Sequence, residues 1–422
     1  MSLFGYSIPG RLHRHNHPQV LAWNASSLIA YGSGTLVNLC NMDGVLLTIP
    51  AASIVTCVAL SPSSIATHEN DDDSSLIVFS DVNGNLTIWD TIQNKLRCHS
   101  TFELLTSSLS LSESTSSDHP HLFSSLSFFQ PQGSVGPTFL LVTLANHPII
   151  LLLNLSCEVI AHVIIPSSTS ISSVYCHPLF GNLFFLTADG KKSLICVKFL
   201  IESMELTFNK ESILTFHEAV LCVSPKNFLE FSVFCCSSVI TTFVKNPFDQ
   251  APAVFSSIFK EVELTGPKLN PDFSIFPPSC GFFSNMFYAV SSRSIIIIYH
   301  LTKSNNFKAI TSIDPLKNLN KSVKDKSAIH AVSLISVMVN PWYGYKFSSS
   351  SEDSLLLSIL TSDGRLALHR VEKVENLKFD ENSDLNSEKD SHSFRRQWLL
   401  LFLQESAQPR VFLQDSQRLT SF

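Results

Sequence analysis

The stretch Leu76-Ile77-Val78-Phe79-Ser80-Asp81-Val82-Asn83-Gly84-Asn85-Leu86-Thr87-Ile88-Trp89-Asp90 constrains the fold more than any other part of the chain. Two runs rich in β-branched and aromatic residues flank Asn83-Gly84, which supplies the positive-φ residues that a tight hairpin needs. Weaker copies recur. They run from Leu28 to Leu39, Phe139 to Leu155, Leu183 to Phe199, Val233 to Phe243, Phe287 to Leu301 and Leu356 to Val371. After the first of these, their turns are expected at Asn146-His147-Pro148, Asp189-Gly190, Ser237-Ser238, Ser292-Arg293 and Asp363-Gly364.

Seven hairpins starting at 28, 76, 139, 183, 233, 287 and 356 recur at intervals close to a propeller blade of roughly 40–45 residues plus variable loops. A further short strand precedes several of them, at Val55 to Pro62, Ile171 to Pro178 and Ala331 to Pro341, each closed by a proline where pairing stops. The pattern predicts an all-β chain, a seven-bladed WD40-like β-propeller over 1–371 with a mostly disordered C-terminal tail. Asp81, Asn83, Gly84, Trp89 and Asp90 define its best-formed hairpin. The outer strand of the last blade must come from outside that blade to close the ring, and Leu3 to Ile8 are expected to supply it. Trp89, on the third strand of its blade, is expected to be buried between blades.

Composition fits strands that are buried on both faces: 45% of residues are hydrophobic, only 15% are charged, and 32 are phenylalanine. A net charge of −6 gives no global positive field to attract nucleic acid or anionic lipid. The run from Thr138 to Pro166 is almost continuously apolar. Asn146, His147, Pro148, Asn154, Glu158 and His162 interrupt it, so three buried strands are expected there rather than a membrane-spanning helix. Ten scattered cysteines without CxxC pairs read as free thiols in a reducing compartment. Met1 to Gly10 is too short and polar for a signal peptide, which places the protein in the cytosol or nucleus.

Polar insertions lie between the hairpins. Glu69 to Ser74 reads as a solvated acidic loop lacking the calcium-loop pattern, Thr106 to Ser117 as a Ser-rich excursion, and Lys303 to Lys326 as a basic solvated loop. Residues 372–393 form a charged, Asn/Ser-rich linker. The segment 394–422 begins with Phe394 to Gln404, a short helix or strand that packs on the propeller or opens a further domain. Its apolar run Trp398, Leu399, Leu400, Leu401, Phe402 and Leu403 is the candidate docking segment.

Catalytic chemistry is not indicated. The chain has no G-x-S-x-G elbow, no phosphate-binding glycine loop and no H-E-x-x-H. His13, His15 and His17 alternate near the N-terminus but read as a polar segment rather than a metal cage. No cofactor or metal is expected, and no catalytic residue.

The residues Leu28-Ile29-Ala30-Tyr31-Gly32 after Ala22-Trp23, Asp81-Val82-Asn83-Gly84 followed by Ile88-Trp89-Asp90, and more loosely Phe184 to Thr187 and Ser362 to Arg365, resemble the N-terminal propeller of the WD repeat-containing protein 11 family. The resemblance covers about Pro18 to Val371. Family members continue into a second propeller and a helical C-terminal region. The resemblance implies a non-enzymatic scaffold whose partners are other protein subunits, engaged in vesicle tethering at the trans-Golgi network and in ciliary signalling. It implies neither nucleic-acid binding nor direct membrane insertion. A nuclear or nuclear-pore scaffold is the alternative among binding modules, and a propeller hydrolase with ligands converging on the central channel is the alternative of another class.

Overall fold

The computed structural model describes residues 20–24, 28–41, 44–61, 76–107, 122–129, 131, 138–145, 147–165, 171–176, 182–225, 230–245, 251–256, 260–264, 286–290, 296–301, 307–313, 334–339, 354–361, 366–372 and 397–400. Among them the chain is all-β apart from one short helix and one 3₁₀ turn, and its strands form seven antiparallel sheets in chain order.

The first sheet is β1 (Leu21–Trp23), β2 (Ile29–Ser33), β3 (Leu36–Asn41) and β4 (Gly44–Pro50). The second is β5 (Val55–Leu60), β6 (Leu76–Asp81), β7 (Asn85–Asp90) and β8 (Lys95–Thr101), followed by helix α1 (Phe102–Ser107). The third is β9 (Phe123–Phe129), β10 (Phe139–Leu144), β11 (Ile149–Leu153) and β12 (Val159–Ile164). The fourth is β13 (Ile171–Cys176), β14 (Leu183–Ala188), β15 (Ser193–Leu200), then β16 (Glu205–Thr207) and β17 (Ile213–Thr215), which share the outer edge of β15 around the 3₁₀ turn Lys210–Ser212. The fifth is β18 (Val220–Pro225), β19 (Glu230–Cys235), β20 (Ser238–Lys245), then β21 (Val254–Phe255) and β22 (Lys260–Glu263), which divide the edge of β20 in the same way. The sixth is β23 (Met286–Val290), β24 (Ile296–Leu301) and β25 (Phe307–Ile313). The seventh is β26 (Leu334–Val339), β27 (Ser354–Thr361), β28 (Leu366–Glu372) and β29 (Gln397–Leu400).

All seven expected hairpins are present, one per sheet. Their turns differ in detail from the sequence reading. In the loop Val82-Asn83-Gly84 only Gly84 is left-handed, with φ 74°, and its N–H donates to the Asp81 carbonyl at 3.1 Å. Asn83 is not left-handed, because a three-residue loop of this kind needs positive φ only at its last position. The fourth sheet turns instead through three left-handed residues, Asp189, Gly190 and Lys191, at φ 51°, 66° and 66°.

Two backbone features repeat from sheet to sheet. In sheets two, three, four, five and seven the pairing of the first two strands slips by one residue at the second position of the first strand, at Thr56, Ser124, Ser172, Leu221 and Ile335. A bulge of this kind bends a strand and increases its twist. In the first five sheets the residue just past the outer strand donates its N–H to the residue just before the third strand: Ala51 to Thr35, Phe102 to Gly84, Ile165 to Pro148, Phe216 to Lys192 and Leu264 to Ser237, each at 2.8 Å. At an equivalent point, backbone bonds also run between sheets, where Val55 N–H donates to Gly34 and Val220 N–H to Lys191.

Side chains on successive strand residues point to opposite faces, so strands buried along their whole length need cover on both sides. β2, β6, β10, β11 and β14 are buried at every residue. Adjacent sheets supply the cover. Ala30, Val37 and Ile49 of the first sheet pack with Val58, Ile77 and Phe79 of the second. Val78, between Ile77 and Phe79, turns to the other face and joins Leu126, Val142 and Leu151 of the third sheet. Phe129 and Phe139 meet Phe184 and Phe199 across the next interface, with Phe129 and Phe184 edge-to-face at 4.7 Å. Phe185, on the opposite face from Phe184, reaches Phe231 of the fifth sheet at 4.6 Å. A further cluster joins Leu21, Trp23, Ile29, Tyr31 and Cys40 of the first sheet to Leu360 and Leu366 of the seventh. The first strands of neighbouring sheets lie side by side from β1 through β5 and β9 to β13, and β26 lies beside β1. The arrangement is propeller-like.

Three sequence expectations change. The edge of β28 is occupied by Gln397–Leu400, paired in register with Arg370 to Ala367, so the place assigned to Leu3 to Ile8 is filled from the C-terminal side; Leu3 to Ile8 themselves lie outside the described residues. Within the basic stretch Lys303 to Lys326, Phe307–Ile313 is strand rather than loop and pairs with β24. Thr106 and Ser107 close helix α1, which the Ser-rich composition concealed. The apolar run from Thr138 to Pro166 forms three strands, as its polar interruptions required, and no helix among the described residues is long and apolar enough to cross a membrane. His13, His15, His17, Glu69 to Ser74, the turns at Ser292-Arg293 and Asp363-Gly364, and the linker beyond Glu372 lie outside the described residues.

The contact between the first two sheets is close at Gly32, where an added Cβ would stand 2.8 Å from Cγ1 of Val55 and 3.0 Å from its Cβ. Gly32→Ala should therefore destabilise the protein by about 1–3 kcal/mol through overpacking, despite removing a flexible glycine from a strand. Val55→Ala made together with it should restore part of the loss. Chemical denaturation of the two single variants and the pair checks this, and strictly additive losses would place the strain elsewhere.

Candidate functional site

The hairpin residues Asp81, Asn83, Gly84, Trp89 and Asp90 come together on β6, β7 and their flanking turns, and the geometry gives each a local role. Asp81 is 2% exposed and both of its carboxylate oxygens are engaged. Oδ1 accepts the backbone N–H groups of Asn83 and Asn85 at 3.0 and 3.1 Å, and the Asn85 side-chain amide donates to both oxygens at 3.1 and 2.9 Å. An acid whose lone pairs are taken by its own turn is a staple and not a proton donor or metal ligand. Asp90 staples the next turn in a similar way, its Oδ1 accepting from Ile92 and Gln93 N–H at 2.9 and 2.8 Å.

Trp89 differs from expectation. It is half-buried rather than buried, lying against the cluster between the first and second sheets, and its indole N–H donates to Asn94 Oδ1 at 3.3 Å. The residue opposite it on β8 is Leu96, which is 51% exposed, so the outer edge of the second sheet leaves part of the ring uncovered. Trp89 and Asp90 thus hold the turn from Thr91 to Asn94, where Asn94 is left-handed at φ 46°.

Similar chemistry closes other turns. Asn41 Oδ1 accepts from Gly44 N–H at 3.0 Å, Asn154 Oδ1 from Ser156 and Glu158 N–H at 2.9 Å each, and Asp189 Oδ2 from the Ser193 hydroxyl at 3.1 Å. In the candidate docking segment, Trp398, Leu399 and Leu400 have their backbone paired to His369, Leu368 and Ala367 as part of β29, while Leu401, Phe402 and Leu403 lie outside the described residues.

One buried charge escaped the sequence reading. Lys198 on β15 is 1% exposed, and its ammonium donates to the Ala251 carbonyl at 3.3 Å. The Ser212 hydroxyl donates to Ala253 nearby, so the fourth sheet grips the 251–256 segment of the fifth by two side-chain bonds. A lysine in a strand otherwise reading Ser-Leu-Ile-Cys-Val before it and Phe-Leu after it carries no sequence signal for such a partner. Its burial next to a carbonyl makes it a tether between sheets.

Among the described residues no group of three or more His, Cys, Asp or Glu is placed to hold a metal ion. Seven described cysteines are free thiols. Burial pushes the thiols of Cys40, Cys57, Cys196 and Cys235 up to about 12. At Cys196 the Lys198 ammonium opposes that rise, and at Cys235 the Glu218 carboxylate adds to it. The site thus described is a set of turns stapled by their own side chains at the ends of packed sheets. No protein-family model matches the chain, and no curated protein matches it.

Asp81→Ala should cost about 2 kcal/mol, because it strands two turn N–H groups. Trp89→Ala should cost about 2 kcal/mol, roughly half the loss for a fully buried tryptophan. Equilibrium unfolding reads both, and a loss near zero for Asp81→Ala would show that the turn holds without its staple. The raised thiols make a second expectation. Their ionisation is favoured in the unfolded chain, so the stability they contribute is intact below pH 9 and falls as the pH climbs from about 9 towards 12. Native alkylation at about pH 8, where these thiols stay protonated, followed by peptide mass spectrometry should leave Cys40, Cys57, Cys196 and Cys235 unmodified. Rapid labelling of Cys57 or Cys196 would contradict their placement.

Proposed function

We propose that the chain is a seven-bladed WD40-like β-propeller acting as a non-enzymatic scaffold for protein–protein interaction, in vesicle tethering and trafficking at the trans-Golgi network and in ciliary signalling. Its partners on this reading are other protein subunits of a tethering complex. The observation that carries the reading is the apolar cluster between the first and seventh sheets, since a row of sheets whose ends cover each other is what a closed ring requires.

The turn chemistry supports a binding role over a catalytic one. Asp81 and Asp90, the buried acids of the best-formed hairpin, spend their Oδ1 atoms on backbone N–H groups of their own turns, and Asp81 gives its second oxygen to Asn85. In an antiparallel meander the turn between the second and third strands and the exit of the fourth lie at one end of each sheet, and the remaining connections lie at the other. Each end therefore gathers loops from every sheet on a fixed frame, which suits several partners at once. The trafficking assignment rests on the resemblance carried by Asp81 to Asp90 and by Leu28 to Gly32.

Affinity capture with the full chain, followed by identification of the bound proteins, tests the reading. Recovery of tethering-complex subunits in stoichiometric amounts is the expected result. Recovery of nuclear-pore components would move the scaffold to another assembly, and retention of no protein above a denatured-bait control would overturn the scaffold role.

A further inference from the structure

The outer edge of the second sheet carries apolar and cationic side chains that its own packing leaves in the open. Ile92, in the turn between β7 and β8, is 70% exposed, and Leu96 on β8 is 51% exposed. The half-buried ring of Trp89 pairs across the strands with Leu96. Lys95 and Arg97 flank Leu96 and are exposed, as is His99 further along the strand. Arg97 is the extra residue of a bulge, since Ile88 pairs with Cys98 and Trp89 with Leu96. The charge is local. In a chain of net charge −6, β8 alone among the described outer strands combines two permanent cations with no carboxylate. Asp90, at the base of the turn, is 5% exposed, and its Oδ1 is taken by the Ile92 and Gln93 N–H groups.

We propose that this edge seats the protein on the surface of an anionic lipid bilayer. Ile92, Leu96 and the open face of Trp89 enter the boundary between headgroups and acyl chains, while Lys95 and Arg97 meet the acidic headgroups. The inference stands on the patch itself and does not depend on the trafficking assignment. A bilayer surface matches both halves of the patch, because anionic headgroups attract the cations and the boundary beneath them takes up apolar side chains. A soluble polyanion would engage Lys95 and Arg97 but leave Ile92 and Leu96 in water. Trp89 suits the same seat. Its indole N–H already donates to Asn94 Oδ1, so the ring can leave water without stranding a donor.

Two other occupants fit less well. An extended peptide adding a strand to β8 would meet the bulge at Arg97 and the exposed cations, both of which blunt a sheet edge. A second copy brought edge to edge would set Lys95 and Arg97 against like charges. With only two permanent cations and three apolar side chains, the docking is weak, reversible and sensitive to salt.

The test is cosedimentation of the purified full chain with protein-free vesicles at millimolar lipid and low salt, comparing phosphatidylcholine alone with phosphatidylcholine mixed with phosphatidylserine. Because the vesicles hold no protein, the outcome is separate from that of affinity capture. The expected result is binding to the phosphatidylserine vesicles only, lost at high salt. Lys95→Gln with Arg97→Gln should weaken that binding by about thirtyfold. Ile92→Ser with Leu96→Ser should weaken it by about tenfold. Both pairs replace exposed side chains and should keep the melting temperature. Should either pair lower it, a second readout in the native chain decides: nitroxide-labelled lipid should quench tryptophan fluorescence, and Trp89→Phe should remove that quenching. No binding, equal binding to both kinds of vesicle, or binding undiminished by either pair of substitutions would overturn the proposal. Binding of soluble polyglutamate in place of the vesicles would assign the patch to an acidic protein segment and overturn it as well.

Discussion

Strands with apolar residues on both faces set the terms for the whole structure. β6, β10, β11 and β14 have no face turned towards water, and each must lie in a sheet that is covered above and below. A stack of such sheets ends in two bare faces unless the ends meet. Here Leu21, Ile29 and Tyr31 of the first sheet meet Leu360 and Leu366 of the seventh. Covering each such side chain is worth about 1.5–3 kcal/mol, enough for the closing contact to matter in a protein of ordinary stability.

That closing contact also carries two of the four buried side-chain atoms without a partner among the described residues, the others being Ser232 Oγ and Thr242 Oγ1 of the fifth sheet. Trp23 Nε1 and Asn38 Nδ2 are buried without hydrogen-bond partners, and both lie on the face of the first sheet that turns towards the seventh. Each orphaned donor costs about 1–3 kcal/mol. The third–fourth and fourth–fifth interfaces instead contain phenylalanine pairs, Phe129 with Phe184 and Phe185 with Phe231. The seam between first and last sheets is therefore expected to give way before the third–fourth and fourth–fifth interfaces.

Much of this was legible in the residues because it is written in patterns of period two and in turn chemistry. The seven hairpins, the three strands within Thr138 to Pro166 and the turns at Gly84 and Gly190 all follow from local signals. Features decided by distant partners were not. The bulges at Thr56, Ser124, Ser172, Leu221 and Ile335 share no single residue type, because the twist of the sheet requires the extra residue and not its side chain. The identity of the strand beside β28 was misjudged for the same reason, since an edge accepts any extended backbone within reach. Trp89 looked buried from its strand position, and only the exposure of Leu96 beside it explains why the ring stays partly open to solvent. Lys198 depends on a neighbour 53 residues away in the chain, and no local pattern announces it.

The first and last sheets pack against each other through Leu21, Ile29, Tyr31, Leu360 and Leu366. A double-mutant cycle between Ile29→Ala and Leu360→Ala, read by equilibrium unfolding, tests this packing most directly. Residues sharing one cluster should couple by about 0.5–3 kcal/mol, since the second truncation enlarges a cavity that the first has already opened. Losses that add to within about 0.5 kcal/mol would mean that the two sheets do not share a core, and would contradict the ring closure that the proposed propeller requires.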